Sequence, residues 1–550
     1  MIIGRKKAAI AAALMVTSLC STTFAATSMS NDADRVKNTT LGTERANIEA
    51  SAPESDQNAP DVHFQVKSVK FESDVPIVES GLRNIMKKYM NRDITIKELN
   101  KATAELTNFC RQHGYPASAA YTPAQRLTNG ELTVKIIPGK IGKLTIENNS
   151  RVNNGKIMPI LKNLHSGDII TAKKLEGDLY RINDIGGIHA AALMSPGSTV
   201  GTSDVTVKIA DGKKTSVILY SENYGNATTG RYRFGIVDDI YGITDEGEHL
   251  TISGLISNTD DQRNYGFTWE QPYGRNANIL GFGASRSNYH VTGVGSLADL
   301  GILGVSRNIN VYYKIPLMRT TEKSAWVNFG YDYRTLEDQI GAFALKGKRR
   351  SQSVHAGING DAHVGNNYLN SSLTLTGGNI KAVDVSSSMR SGQYRDVFGD
   401  FYKGLLDVTD VYNFAKHWDV MFKGEAQLTT KNLDSSEQIV LGGPSGVRAY
   451  NDGEGSGDKG YIGTVEFRYH TPLRGLTLST YYDMGFVNNR KTPLAGQENS
   501  QRLKGWGVGI TYAEPSNLFL RFDYARKIGT AEQISDAPDS RMWFMLGKVL

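Results

Sequence analysis

The chain has 550 residues, 39% of them hydrophobic, with 57 Gly, 26 Tyr and two Cys, and its mean hydropathy is −0.35. That composition excludes a helical membrane protein and a disulfide scaffold, while the length allows several domains. The formal charge of +6 drops to +3 once Arg5, Lys6 and Lys7 are set aside, an excess too small for the clustered basic face that nucleic acid requires.

Residues 1–25 read as a secretory signal peptide. Arg5 to Lys7 form its charged region, Ala8 to Leu19 an apolar core too short to span a bilayer, and Thr23-Phe24-Ala25 a small-x-small cleavage site. Leu19 stands where a lipoprotein signal needs a small residue before Cys20. With Cys20 removed, Cys110 remains alone on the apolar face of a predicted helix and reads as a small buried hydrophobe. Residues 26–60 are rich in Ser, Thr, Asn and Asp and read as a linker or a plug helix, polar all round from Asn31 to Ala50.

Residues 61–213 carry an internal repeat. Glu131-Leu-Thr-Val-Lys-Ile-Ile-Pro-Gly-Lys140 returns as Asp204-Val-Thr-Val-Lys-Ile-Ala-Asp-Gly-Lys213, offset by 73 residues with six of ten identical. Thr95 and Glu98 form a capping box ahead of the apolar positions Ile96, Leu99, Ala102, Leu106 and Phe109, and Gly114 then Pro116 end that helix. Thr171, Leu175, Leu179, Ile182 and Gly186 repeat the plan. With strands predicted at Val69 to Glu72 and Leu144 to Glu147, and further helices at 79–90 and 154–165, each unit reads β-α-α-β-β. Two small α+β domains are expected, at 61–140 and 141–213, each with an edge strand open to another chain.

The last 337 residues, 214–550, hold 22 of the 26 Tyr and 42 of the 57 Gly and change to a period of two. Tyr265, Phe267 and Trp269 alternate with polar or small neighbours, as do Trp418, Val420 and Phe422, and Leu518, Leu520 and Phe522. A soluble sandwich alternates as well. Glu, Arg and Asp inside long strands, together with the signal peptide, favour a transmembrane antiparallel barrel with a wet lumen. At about 21 residues per strand and connection, that stretch makes about 16 strands. Met542, Phe544, Leu546, Lys548 and Leu550 read as the closing strand.

Against this background the chain resembles the outer-membrane transporters of two-partner secretion, the haemolysin secretion and activation proteins. Gly114-Tyr115-Pro116, then Tyr121, Pro123 and Gln125, resemble the signature of that family's periplasmic POTRA domains. Asn223-Tyr-Gly225 and Thr229-Gly-Arg-Tyr-Arg233 resemble its opening barrel hairpin. Gly442-Gly-Pro-Ser-Gly-Val447-Arg448-Ala449-Tyr450 resembles the Val-Arg-Gly-Tyr motif of a sixth extracellular loop that folds into the lumen, with Ala449 in place of the usual Gly. Asp483-Met-Gly485 resembles an Asp-x-Gly motif in the thirteenth strand. The resemblance implies that Arg448 meets Asp483 and that an unfolded exoprotein passes from periplasm to cell surface. It also marks Gly114, Tyr115, Pro116, Tyr121, Pro123 and Gln125 as cargo-binding candidates, with the recruiting edge expected at Pro116 to Ala124.

Other constellations point to no chemistry. The sequence has no Gly-Lys-Ser or Gly-Lys-Thr for a nucleotide, no His-Glu-x-x-His for a metal and no recognisable nucleophile-base set, so neither an enzyme nor a cofactor is expected. Asn451, Asp452, Glu454 and Asp458 lack regular calcium-ligand spacing and read as a Gly-rich surface loop. Lys346, Lys348, Arg349 and Arg350 read as a solvated basic loop, with lipopolysaccharide as a lesser reading beside the expected contact with membrane lipid. A barrel-assembly factor, and then a passive porin or receptor, are the competing functions.

Overall fold

The computed structural model describes residues 47–50, 63–77, 79–292, 298–493, 496, 498–514, 517–529 and 538–550. The signal peptide and most of the plug or linker segment lie outside the described residues. Of that segment, strand β1 (Asn47–Ala50) is described.

The first small domain opens with β2 (His63–Gln65), which pairs with β4 (Asp93–Thr95). Its main sheet is β3 (Ser68–Ser73), β6 (Glu131–Ile137) and β5 (Ala119–Tyr121), in that spatial order. Helix Ile96–Gln112 begins at the Thr95 capping box, in which the Thr95 side chain accepts from Glu98 N and the Glu98 carboxylate accepts from Thr95 N. Leu99, Ala102, Leu106 and Cys110 line its buried stripe and meet Leu132, Val134 and Ile136 of β6. Cys110 is fully buried there.

The second domain repeats the plan with β7 (Lys140–Asn149), two helices, β8 (Ile188–Pro196) and β9 (Thr202–Asp211). Helix Ala172–Asn183 lays Leu175, Leu179 and Ile182 on Val205, Val207 and Ile209. Among the described residues one feature has no counterpart in the first domain: β1 pairs in parallel with the outer edge of β8, from Asn47 beside Ala191 to Ala50 beside Met194.

Sixteen antiparallel strands then close into a barrel. They start short, with β10 (Thr215–Glu222), β11 (Arg233–Tyr241) and β12 (His249–Ser257), and lengthen through β13 (Gln262–Tyr273) and β14 (Asn278–His290). The far wall is the tallest, built from β15 (Ile302–Arg319), β16 (Lys323–Ile340), β17 (Leu345–Val364), β18 (Asn367–Val385) and β19 (Gly399–Ala415). β20 (Trp418–Thr429) follows, then loop 430–458 with the two-residue strands β21 (Ile439–Val440) and β22 (Ser456–Gly457). β23 (Lys459–His470), β24 (Leu476–Asn488), β25 (Ser500–Ala513), β26 (Leu518–Lys527) and β27 (Ser540–Val549) complete the circuit.

Alternation sets the two faces of this wall. On β24, Leu478 and Tyr482 are exposed on the outside, while Tyr481, Asp483 and Gly485 are buried on the inside. The seam between β10 and β27 is short, covering only residues 218–222 of β10, whereas β16 and β17 pair along nearly their whole length.

The second domain docks on the near end of the barrel. Arg319, at the end of β15, forms an ion pair with Asp184 and lies between the rings of Tyr180 and Trp326. Thr321 Oγ1 donates to Glu176 (2.7 Å), and Arg151 Nη1 donates to the Tyr241 carbonyl (3.0 Å).

Candidate functional site

Loop 430–458 leaves β20 at the far end, folds into the lumen and returns to β23. The pairing of β21 with β22 and the carboxylate of Asp458 join its two arms, the latter accepting from Leu433 N (3.1 Å) and Gln438 Nε2 (2.8 Å). Glu454 is engaged by Asn451, whose N–H donates to it at 3.0 Å. Asp458 and Glu454 are therefore turn-forming groups of a buried loop, which corrects the reading of this stretch as a surface loop: both are at most 9% exposed.

At the tip, Val447 N–H donates to the Leu441 carbonyl (2.7 Å) and Tyr450 N–H to the Val447 carbonyl (3.2 Å). This turn aims Arg448 at the wall. Its Nε and Nη2 donate to the two oxygens of Asp483, both at 2.9 Å, and its backbone N–H donates to the same carboxylate at 3.1 Å. Nη1 reaches Glu466 on β23 (3.0 Å) and Asp523 on β26 (3.2 Å). The guanidinium lies over the Tyr481 ring, and Thr464 Oγ1 donates to Asp483 (2.9 Å). Arg448 is 3% exposed and Asp483 is fully buried. In such low-dielectric surroundings a bidentate arginine fork is strong and directional, and losing one partner leaves charge stranded.

The small residues of both motifs have steric reasons. A Cβ at Gly485 would lie 2.9 Å from Leu441 Cδ2 and 3.3 Å from Val447 Cγ2, so a side chain there would push the loop off the wall. Ala449 is fully buried and is not among the residues of positive φ, so its methyl costs no backbone strain. It packs where a Cβ on Gly505 would approach to 2.7 Å. Tyr450 is buried, with the Lys527 ammonium 4.9 Å from its ring centre.

Glu466, Asp523 and Trp543 were not singled out from the sequence, although strand alternation puts each on the lumen face. Trp543 of the last strand donates its indole N–H to the Arg448 carbonyl (2.7 Å) and packs edge to face on Tyr224. The neighbouring Asn223 side chain donates to the Met542 carbonyl (2.9 Å) and accepts from Phe544 N–H (2.8 Å). The Asn-Tyr-Gly motif thereby extends the short seam and touches the loop tip through one indole.

The six residues of the first domain separate. The carbonyl of Gly114 (φ +93°) accepts from Ala172 N–H (2.9 Å), making the Gly-Tyr-Pro turn a joint between the two domains. Gln125 turns to its own sheet, where its amide accepts from Thr133 N–H and donates to the Thr133 carbonyl, both at 2.8 Å, in place of a paired strand. Pro123 lies between them, half-buried, while Tyr121 is exposed on β5. The edge expected over Pro116 to Ala124 is thus limited to Ala119–Tyr121. The N–H of Ala120 is already donated to Thr107 Oγ1 (2.9 Å), because the adjacent helix packs against this strand.

The basic run also needs correction. It lies within β17, not in a loop, and the pleat turns Lys346 and Lys348 outward while Arg349 points in and is fully buried.

Comparison with known proteins agrees with this architecture. Residues 201–512 match the family described as haemolysin secretion/activation protein ShlB/FhaC/HecB, and residues 64–139 match the ShlB-type POTRA domain. The heme/hemopexin transporter protein HuxB of Haemophilus influenzae is 25% identical over 523 residues, covering 91% of this chain and 90% of that protein. The outer membrane transporter CdiB of Dickeya dadantii is 23% identical over 467 residues, covering 82% and 80%. The structure of CdiB from Escherichia coli superposes with a TM-score of 0.63 at 17% identity, covering 91% of this chain and 93% of that one. With its POTRA-type domain, its closed barrel and its inward-folded loop, the chain belongs to the haemolysin secretion/activation family and is an outer-membrane transporter of two-partner secretion, its small domains periplasmic and its far end at the cell surface.

Proposed function

We propose that this transporter binds its exoprotein as an extended, unfolded chain on the POTRA sheets and passes it through the lumen when loop 430–458 leaves its seat. The observation that carries this reading is the way the loop is held. Its tip is fixed by Arg448 to carboxylates on three different strands, Asp483, Glu466 and Asp523. Such contacts are stiff while complete, yet they can be exchanged for water and re-formed without covalent chemistry.

Cargo entry uses the sheet edges. An unfolded polypeptide carries unpaired backbone groups that an edge strand can bind with little regard for side chains. The β8 edge is nine residues long and holds β1 along part of it, so cargo there competes with the chain's own residues 47–50. In the first domain, Tyr121 and the backbone beyond Ala120 are the accessible part. To Lys346 and Lys348, exposed near the start of β17, we assign contact with lipopolysaccharide phosphates. No phosphate loop occurs in the sequence, so the driving force we assign is folding of the cargo outside.

The test is deletion of the gene followed by a survey of the medium and of the outer membrane. Loss of one large secreted protein, with other barrels intact, is expected and identifies the cargo. General loss of outer-membrane barrels would contradict export and favour barrel assembly.

A further inference from the structure

A second buried arginine cluster sits nearer the cell surface, on the far wall from the Arg448 site. Arg349 on β17 forks onto Asp434 of loop 430–458, with Nε on one carboxylate oxygen and Nη2 on the other (3.2 Å). Its Nη1 pairs with Asp338 on β16 and donates to Tyr394 Oη (2.9 Å), which in turn donates to Asp338 (2.9 Å). Arg349, Asp338 and Asp434 are each at most 1% exposed. Three residues on, Glu437 of the same loop arm pairs with Arg334 (3.1 Å) on β16 and Lys403 (2.8 Å) on β19.

The two clusters mirror each other. At the tip the loop carries the arginine and the wall carries the acids; at the base the wall carries the arginine and the loop carries the acid. They attach the loop to different walls, β23 to β26 at the tip and β16 to β19 at the base. Breaking the tip alone leaves the first arm of the loop tethered to the far wall.

Resting on the reading that the loop closes the lumen, we infer that Arg349 and Asp434 form a second latch of that loop, with Asp338 and Tyr394 as its positioning residues. The loop clears the lumen fully only when both latches release. Asp338 already balances Arg349, so Asp434→Asn weakens the latch without stranding a buried cation, whereas Arg349→Ala strands two buried aspartates and endangers folding.

The full-length protein in planar bilayers and in cells supplies the test, with Asp434→Asn, Arg448→Ala and the double variant compared with the parent. The primary readout is the ratio of open to closed time in single-channel current. Labelling of Ser445→Cys by a membrane-impermeant maleimide from outside the cell reports loop displacement, and heat-modifiable migration reports barrel folding. Loss of a charge-assisted fork should raise the open ratio about tenfold or more in Asp434→Asn and raise it again in the double variant, with labelling rising in step and the barrel still folded. The exchanged pair Arg349→Asp with Asp434→Arg should return the ratio toward that of the parent. An effect of Arg448→Ala with none of Asp434→Asn would overturn the second latch and leave the reading of the loop standing. No effect of any variant on current or labelling would overturn both.

Discussion

The Arg448 and Arg349 clusters use the same chemistry, a buried guanidinium forked on aspartate, but differ in what moves with the cation. Arg448 rides on the loop and meets Asp483, Glu466 and Asp523 on three strands, so its departure strands Asp483 and leaves Glu466 and Asp523 to share Arg521. Arg349 is fixed in the wall and keeps Asp338 when the loop leaves. The tip is therefore the costlier contact to open and the stronger driving force for the loop to return. The base contact opens with its wall half still paired.

The largest effect is expected from Arg448→Ala. Removing one member of a buried ion cluster costs about 3–5 kcal/mol, here charged to the seated loop; the loop tip should become open to labelling from outside and the channel open time should rise, while heat-modifiable migration shows an assembled barrel. Parental labelling and open time would remove the distinction between tip and base. Asp483→Asn should come next, retaining Glu466 and Asp523 for Arg448. A cycle of Asp483→Asn with Arg448→Ala, read in loop accessibility, should give a coupling of about 1–3 kcal/mol, and strict additivity would show that the two do not act as a pair. Trp543→Phe removes the hydrogen bond from the last strand to the Arg448 carbonyl and trims the ring packed on Tyr224; a loss of about 1–2 kcal/mol is expected, seen as a modest rise in channel flicker with export retained.

The smallest effect concerns a carboxylate that is poorly paired. Asp178, on the POTRA helix that packs against the end of β15, has Arg181 on one oxygen and no hydrogen bond to the other. Burial pushes its carboxyl above the ordinary carboxylate range, against the pull of Arg181. A carboxylate raised in the folded state costs nothing below its unfolded pKa. The cost grows as pH climbs from that value through the folded one, and is fully present above it. Hydrogen exchange of this helix in the full chain should therefore quicken from acid toward neutral pH, and Asp178→Asn should flatten that rise. An unchanged profile would show that its single arginine suffices.

Much of this was legible because it repeats locally. The Thr95 and Glu98 capping box, the 73-residue repeat and the period of two each depend on neighbours in sequence, and the structure shows the box, the paired domains and sixteen strands. The Arg448 and Asp483 contact spans 35 residues and was approachable only through a family motif. Arg349 was misread because a run of four basic residues looks solvated until the strand and its pleat are known. Asp434, 85 residues away, carries no local mark at all. Gln125 shows a related ambiguity: an amide that satisfies its own sheet has the same sequence signature as one that faces a ligand.

The central claim is that export requires the loop tip to leave its seat. Lys423 Nζ donates to the Ser445 carbonyl (3.3 Å), which places these two positions side by side across the tip and β20. Lys423→Cys with Ser445→Cys, joined by a short bis-methanethiosulfonate cross-linker that forms a reducible disulfide with each thiol and releases sulfinate, would pin the loop in place. Export of the exoprotein into the medium should stop on cross-linking and resume on reduction, while each single variant treated alike continues to export. Undiminished export through the cross-linked protein would contradict the account.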